Sequence, residues 1–268
     1  MIGICFCRVC RLFCAAVLLL LVASDLVAQK IVIDSNTYGH WPDIGAQQLS
    51  PDGKYLIYSI SNIPDGKNTL YLQSIAGKWE KEFVDAGLSA MTHDGHKAVF
   101  VQNSRLCICI LGEEETKIID SVDEYQLVTM QDSSDLLAYK QIGSNNLVVK
   151  NLSNGKEDSF GATEKYWFSD NGQILAILTS LSEDTGKMKS LIYIDLNENR
   201  RVKIWAGRDV NSLLMARDGQ QLGFVSDEDG KPRKTIWYYQ SGNGSAVKMV
   251  DSHTEDMDSS NVLMRLAA

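Results

Sequence analysis

The chain has 268 residues, with 26 Lys and Arg against 34 Asp and Glu and a formal net charge of −8. No stretch concentrates Lys or Arg into a phosphate-binding surface, which argues against nucleic acid as a partner, and the negative balance serves solubility. The length suffices for one substantial domain.

Residues 1–28 read as a signal peptide. Arg8 and Arg11 form a positive n-region, residues 12–22 are an apolar run, and Leu26-Val27-Ala28 offers a small residue for cleavage before Gln29. A membrane span needs about 20 apolar residues, so the run is short for one, with an uncleaved anchor as the rival reading. Cys14 precedes the run and has no small residue before it, which argues against lipidation. The expected location is periplasmic or secreted, with no stable membrane insertion after cleavage. Cleavage removes Arg8, Arg11 and Asp25 from the 26 basic and 34 acidic residues, leaving 24 and 33. Cys5, Cys7, Cys10 and Cys14 leave too, so Cys107 and Cys109 remain. Two residues apart on a strand, they share a face, resist bridging, and read as buried apolar thiols.

From Leu49 the chain writes LSPDGKYLIYSI, a turn followed by an alternating apolar strand. The unit returns as MTHDGHKAVFVQ from Met91, MQDSSDLLAYKQ from Met130, FSDNGQILAILT from Phe168 and MARDGQQLGFVS from Met215. Aligned on Gly53, Gly95, Ser134, Gly172 and Gly219, the units are 42, 39, 38 and 47 residues apart. Leu56, Ala98, Leu137, Leu175 and Leu222 then share a column, as do Tyr58, Phe100, Tyr139, Ile177 and Phe224. Residues two apart lie on one strand face, which predicts one buried face recurring in each unit. The Asp-Gly and Asn-Gly pairs supply the positive φ that a tight turn demands.

Each unit continues through a second loop into another apolar strand: LYLQSI, LCICIL, LVVKNL, LIYIDL and IWYYQS. Turn signals and a weaker strand follow, such as VKIWA at Val202. With the short apolar stretch before each turn, a unit holds four strands. Four antiparallel strands per period of about 40 residues is the signature of an all-β protein, a β-propeller of four-stranded blades. A two-sheet sandwich is the rival, but it has no reason to repeat one strand-turn-strand order. The expected domain is residues 29–268, with blades at 44–86, 87–121, 122–162, 163–207 and 208–250. Residues 259–265 resemble the start of a sixth blade within 251–268, which makes the expected ring incomplete and the sequence cut short.

No catalytic, cofactor-binding or metal-binding residue is assigned. Gly87-Leu88-Ser89-Ala90-Met91 lacks the second glycine of a nucleophile elbow, and no glycine-rich phosphate loop occurs. His93 and His96 flank Asp94 at a metal-compatible spacing, yet they fall in a repeated turn. Asp227-Glu228-Asp229-Gly230 lacks the remaining ligands of a calcium loop and reads as a hairpin. Trp237-Tyr238-Tyr239 reads as core packing on at least one face.

The stretch YGHWPDIGAQQLSPDGKYLIYSI at 38–60, after a signal peptide, resembles the propeller lead-in of bacterial secreted prolyl-oligopeptidase-family serine peptidases. The later turns are shared with TolB-like and WD-repeat-like propellers. The resemblance covers residues 34–250. It implies a propeller that restricts access to, and docks on, a C-terminal α/β-hydrolase domain carrying Ser, Asp and His. That domain is absent from the sequence, so this chain alone is expected to be inactive and its parent a serine peptidase. The alternative is a stand-alone periplasmic binding propeller with a protein or peptide ligand and no catalysis. Neither requires a cofactor.

Overall fold

The repeated turn builds itself from short side chains. Ser50 Oγ donates to Asp52 Oδ1 at 2.7 Å and accepts the Lys54 and Tyr55 amides at 3.0 and 2.9 Å. Thr92 with Asp94, and Ser169 with Asn171, repeat the arrangement at 2.6 Å each. This side-chain mimicry of backbone leaves the following residue in the left-handed region, where glycine is free of strain. Gly53, Gly95, Gly172 and Gly219 have φ of 71, 69, 68 and 73°.

The computed structural model describes residues 39–64, 66–180, 188–227 and 234–251. The proposed signal peptide and the 259–265 segment lie outside the described residues. Within them the fold is all-β: five four-stranded antiparallel sheets, each in simple sequential order. Blade 1 is β1 (Asp43–Leu49), β2 (Tyr55–Ser61), β3 (Asn68–Ser74) and β4 (Glu80–Val84). Blade 2 is β5 (Ala86–Met91), β6 (Lys97–Gln102), β7 (Arg105–Ile110) and β8 (Thr116–Ile119). Blade 3 is β9 (Val122–Thr129), β10 (Asp135–Gln141), β11 (Leu147–Asn151) and β12 (Glu157–Phe160). Blade 4 is β13 (Thr163–Phe168), β14 (Ile174–Ser180), β15 (Lys189–Asp195) and β16 (Arg200–Gly207). Blade 5 is β17 (Val210–Met215), β18 (Gln221–Asp227), β19 (Lys234–Gln240) and β20 (Val247–Val250).

Each sheet is too thin to bury its apolar side chains alone, so consecutive blades stack and share four separate cores. Ile57 and Leu72 of blade 1 meet Ala98, Phe100, Cys107 and Cys109 of blade 2. Val99, Leu106 and Ile108 of blade 2 meet Leu137 and Tyr139 of blade 3. Ala138 and Val149 face Leu175, Ile177 and Ile194 across the next junction. Ala176, Tyr193 and Trp205 face Leu222, Phe224 and Tyr239 across the last. Among the described residues no core joins blade 5 to blade 1, and β1 is exposed along its whole length.

Two sequence expectations need correction. In blade 3 the positive φ belongs to Ser133 (66°), not to Ser134, which stood in the glycine column. Its turn closes from the Met130 amide to the Ser134 carbonyl, one residue tighter than the Ser50-to-Tyr55 closure of blade 1. One buried face per unit is also too few. Ala98, Val99 and Phe100 are all fully buried, because an internal blade is covered by a neighbour on either side. In blade 1 the order reverses: Ile57 is buried while Leu56 and Tyr58, from the expected buried columns, are half-exposed. Those columns point toward the preceding blade, and among the described residues blade 1 has none against it.

The turn carboxylates make stability acid-sensitive. Burial by itself would raise the Asp94 carboxyl, but hydrogen bonds from Thr92 and the His96 amide outweigh it and hold it below the usual range. Asp227 is likewise held down, burial opposing, by Lys234 and Asn211. A folded carboxyl that binds its proton less readily than the unfolded chain does makes acid favour unfolding. Their contribution is complete above the ordinary carboxylate range and is lost as pH falls through the lowered folded values. The urea midpoint is therefore expected to fall between about pH 5 and about pH 3, with a shallower decline for Asp94→Asn. A midpoint that rises with acidification would contradict the sign.

Candidate recognition site on the inner strands

The first strand of each blade is an edge strand, hydrogen-bonded to a sheet neighbour on one side only. On β9, Tyr125 and Leu127 turn toward the core shared with blade 2 and Val128 toward that shared with blade 4. Glu124 and Gln126 stay exposed. On β13, Tyr166 and Phe168 pack toward blade 3 while Trp167 packs toward blade 5. Between these two inner edges lies an open recess of about 350 Å³ lined by Glu124, Gln126, Glu164, Lys165, Tyr166 and Trp167.

A string of alternating charges holds the recess in shape. Lys140 Nζ lies 3.3 Å from Glu124 Oε1 and donates to the Glu164 carbonyl at 3.2 Å. Lys189 Nζ reaches Glu164 Oε2 at 2.5 Å and Asp209 Oδ1 at 3.2 Å. Lys165 lies 3.5 Å from the same Asp209 oxygen and donates to the Val210 carbonyl at 2.8 Å. Three lysines thus meet three carboxylates drawn from blades 3 and 4 and the link into blade 5. Burial would lower the Lys189 ammonium, but its hydrogen bonds to Glu164 and Asp209 outweigh that and raise it. Burial, then Glu124, pushes the Tyr166 phenol up to about 12, so it remains a neutral donor at any physiological pH.

The chemistry available here is recognition by neutral and charged hydrogen-bonding groups beside aromatic surface. Exposed Glu124 and Gln126 offer acceptors, and Tyr166 a donor with aromatic surface. Sequence reading missed this site: Glu124, Glu164, Lys189 and Asp209 fall at strand starts far apart in the chain, and no spacing motif connects them. The legible signal was weaker, an acid near successive blade links at Asp85, Glu164 and Asp209.

The residues weighed from sequence lie elsewhere. His93 and His96 are exposed in the turn after β5, at the opposite strand end from Lys140 and Glu164. Asp94 between them accepts hydrogen bonds from Thr92 and the His96 amide at 2.6 and 2.9 Å, so its carboxylate serves the turn. No group of three or more His, Cys, Asp and Glu suited to a metal occurs among the described residues. Asp227 pairs with Lys234 and accepts from Asn211 at 2.9 Å, while 228–233 lie outside the described residues. Trp237 stacks on Phe224 and donates from Nε1 to Ser226 Oγ at 2.9 Å, and Tyr239 is fully buried. Cys107 and Cys109 are free and buried, and burial raises both thiols. Ser89 sits within β5 rather than on a strand-to-helix elbow. No helix of the described residues is long and apolar enough to cross a membrane.

Fold and site together define a β-propeller domain with a polar recess between inner strands. No protein-family model matches the sequence, and no curated protein matches it. Among solved structures, the chain is similar to one from a study of two prolyl endopeptidases, at 13% identity over 79% of this chain and 37% of that one, with a TM-score of 0.49. Hydrazine synthase of Kuenenia stuttgartiensis aligns at 14% identity over 75% of this chain and 64% of that one, TM-score 0.41. A protein described as TolB from Agrobacterium tumefaciens aligns at 14% identity over 78% and 81%, TM-score 0.39. The chain therefore spans less than two thirds of the endopeptidase and hydrazine synthase chains. No residue role is transferred from any of the three.

Proposed function

We propose that this chain is the access-restricting and docking propeller of an exported prolyl-oligopeptidase-like serine peptidase, whose acyl-transfer chemistry resides in an α/β-hydrolase domain outside residues 1–268. The supporting observation is the recess between β9 and β13, where Glu124, Gln126 and Tyr166 present hydrogen-bonding groups suited to an extended peptide. It stands beside the lead-in resemblance at 38–60. In this reading the propeller selects and holds peptide, and the recess contributes binding rather than bond cleavage.

The test pairs a covalent probe with a binding measurement. A fluorophosphonate serine-hydrolase probe should leave the 268-residue chain unlabelled and should label one serine in a protein extended into the adjoining coding sequence. In the extended protein, Glu124→Gln with Tyr166→Phe should raise KM for a decapeptide about tenfold while leaving hydrolysis of a small ester unchanged, a loss of about 1.4 kcal/mol in binding. A stop codon directly after Ala268, with peptide binding by the chain alone, would replace this proposal with the stand-alone binding propeller. Labelling of the 268-residue chain itself would overturn both.

A further inference from the structure

The turns of blades 3, 4 and 5 contain the pairs Asn154-Gly155, Asn171-Gly172 and Asn243-Gly244. This dipeptide carries its own chemistry. The glycine nitrogen attacks the asparagine Cγ, which closes a cyclic imide and expels the side-chain nitrogen as ammonia. Water then opens the imide, giving aspartate by attack at the side-chain carbonyl or isoaspartate by attack at the backbone carbonyl. Glycine favours ring closure because no Cβ hinders the approach. The first step needs a free glycine amide and a side chain free to turn onto it.

Two of the pairs are tied down. The Gly172 amide donates to the Ser169 carbonyl at 2.9 Å. Asn171 Oδ1 accepts from Ser169 Oγ and the Gln173 amide at 2.6 and 3.2 Å, and Nδ2 donates to Gln173 Oε1 at 3.2 Å. Gly172 also nests on blade 3, where an added Cβ would lie 3.0 Å from the Thr129 carbonyl oxygen. In blade 3 the Gly155 amide donates to the Asn151 carbonyl at 2.9 Å, and Asn154 Oδ1 accepts the Lys156 amide at 2.9 Å.

The third pair differs at both reacting groups. Residues 242–245 are exposed in the hairpin between β19 and β20. Among the described residues, no hydrogen bond engages the Asn243 side chain or the Gly244 amide. Asn243 bonds through its backbone alone: its amide donates to the Gln240 carbonyl at 3.1 Å, and its carbonyl accepts from the Tyr239 hydroxyl at 3.2 Å. A Cβ on Gly244 would meet nothing within 4 Å, so no neighbour crowds the forming ring.

We infer that Asn243 is a site of spontaneous deamidation, and that its isoaspartyl product loosens the last hairpin of blade 5. In isoaspartate the main chain runs through the former side chain, and the carbonyl that accepts from Tyr239 becomes a free carboxylate beside it. Tyr239 is fully buried in the core between blades 4 and 5, so its hydroxyl is the tie from that core to this turn. The added methylene enters just before the Tyr238–Val247 pair, where the pairing of β20 begins. The inference does not rest on the peptidase reading.

The test is prolonged incubation of the purified chain in mildly alkaline buffer, followed by peptide mapping with fragmentation that separates isoaspartate from aspartate. Conversion at Asn243 should run at least about tenfold faster than at Asn154 or Asn171, which must first break their hydrogen bonds. In concentrated urea the three rates should converge. Gly244→Ala, at a position with open space around it, should slow conversion at Asn243 about tenfold while leaving the urea midpoint unchanged. Amide exchange across Val247–Val250 should accelerate in the isoaspartyl fraction and stay at the parental rate in Asn243→Asp, which keeps the backbone. Similar rates at the three sites in the folded chain, or a preference for Asn243 that persists in urea, would overturn the site. Unaltered exchange in the isoaspartyl fraction would overturn its effect on the hairpin.

Discussion

Replacing Gly219 by Ala is expected to cost far more stability than the same change at Gly53, although both occupy the same place in the repeated turn. Their φ values are nearly equal, 73 and 71°, so the left-handed strain of an L-residue, about 1–2 kcal/mol, is common to both. Their surroundings differ. A Cβ on Gly219 would stand 2.4 Å from Ile174 Cγ1, 2.6 Å from Ile174 Cβ and 3.0 Å from Ser169 Cβ. Ile174 is 1% exposed and belongs to the core between blades 4 and 5, so it has little freedom to withdraw. Overpacking of that kind adds about 1–3 kcal/mol. Gly219→Ala should therefore lose about 2–5 kcal/mol in urea unfolding, and Gly53→Ala only the strain. Equal losses would show that successive turns do not nest as described.

Asp135→Ala should be similarly damaging for a polar reason. Asp135 is 3% exposed at the start of β10, and its carboxylate joins two blades. Oδ1 accepts from Thr129 Oγ1 at 2.7 Å, and Oδ2 accepts from the His93 amide of blade 2 at 2.8 Å. Removing the carboxylate deletes two hydrogen bonds to a charged acceptor, each worth about 1.5–3 kcal/mol before water reaches the exposed Thr129 and His93 and recovers part of it. The expected loss is about 2–4 kcal/mol for Asp135→Ala. Asp135→Asn should lose less, because its amide oxygen still accepts one of the two bonds. Amide exchange at His93 gives a local readout and should accelerate in Asp135→Ala more than at Thr92, whose amide bonds to the Lys97 carbonyl within its own hairpin. An Asp135→Ala protein as stable as the parent would remove the bridge from the account.

The hairpins were legible in the chain because their causes are local. Ser50 with Asp52, Thr92 with Asp94 and Ser169 with Asn171 lie two residues apart, and the glycine that follows needs only its own φ. Blade 3 was misread at the one place where the local signal failed, since Ser133 adopts the glycine conformation without being glycine. The recess was not legible. Its charge string joins Glu124, Lys140, Glu164, Lys189 and Asp209, and the separations are set by loop lengths and by the β-bulge between Thr163 and Lys165.

The amino-acid order by itself determined the all-β class, the four-stranded unit, its recurrence and the turn chemistry, because strand alternation and side-chain capping act over a few residues. Only the tertiary structure decided which faces are covered. Leu56 and Leu137 hold the same column, yet Leu56 is half-exposed and Leu137 is fully buried. The difference lies in the neighbouring blade: burial belongs to a pair of stacked sheets, and the chain specifies each sheet without stating what stands beside it.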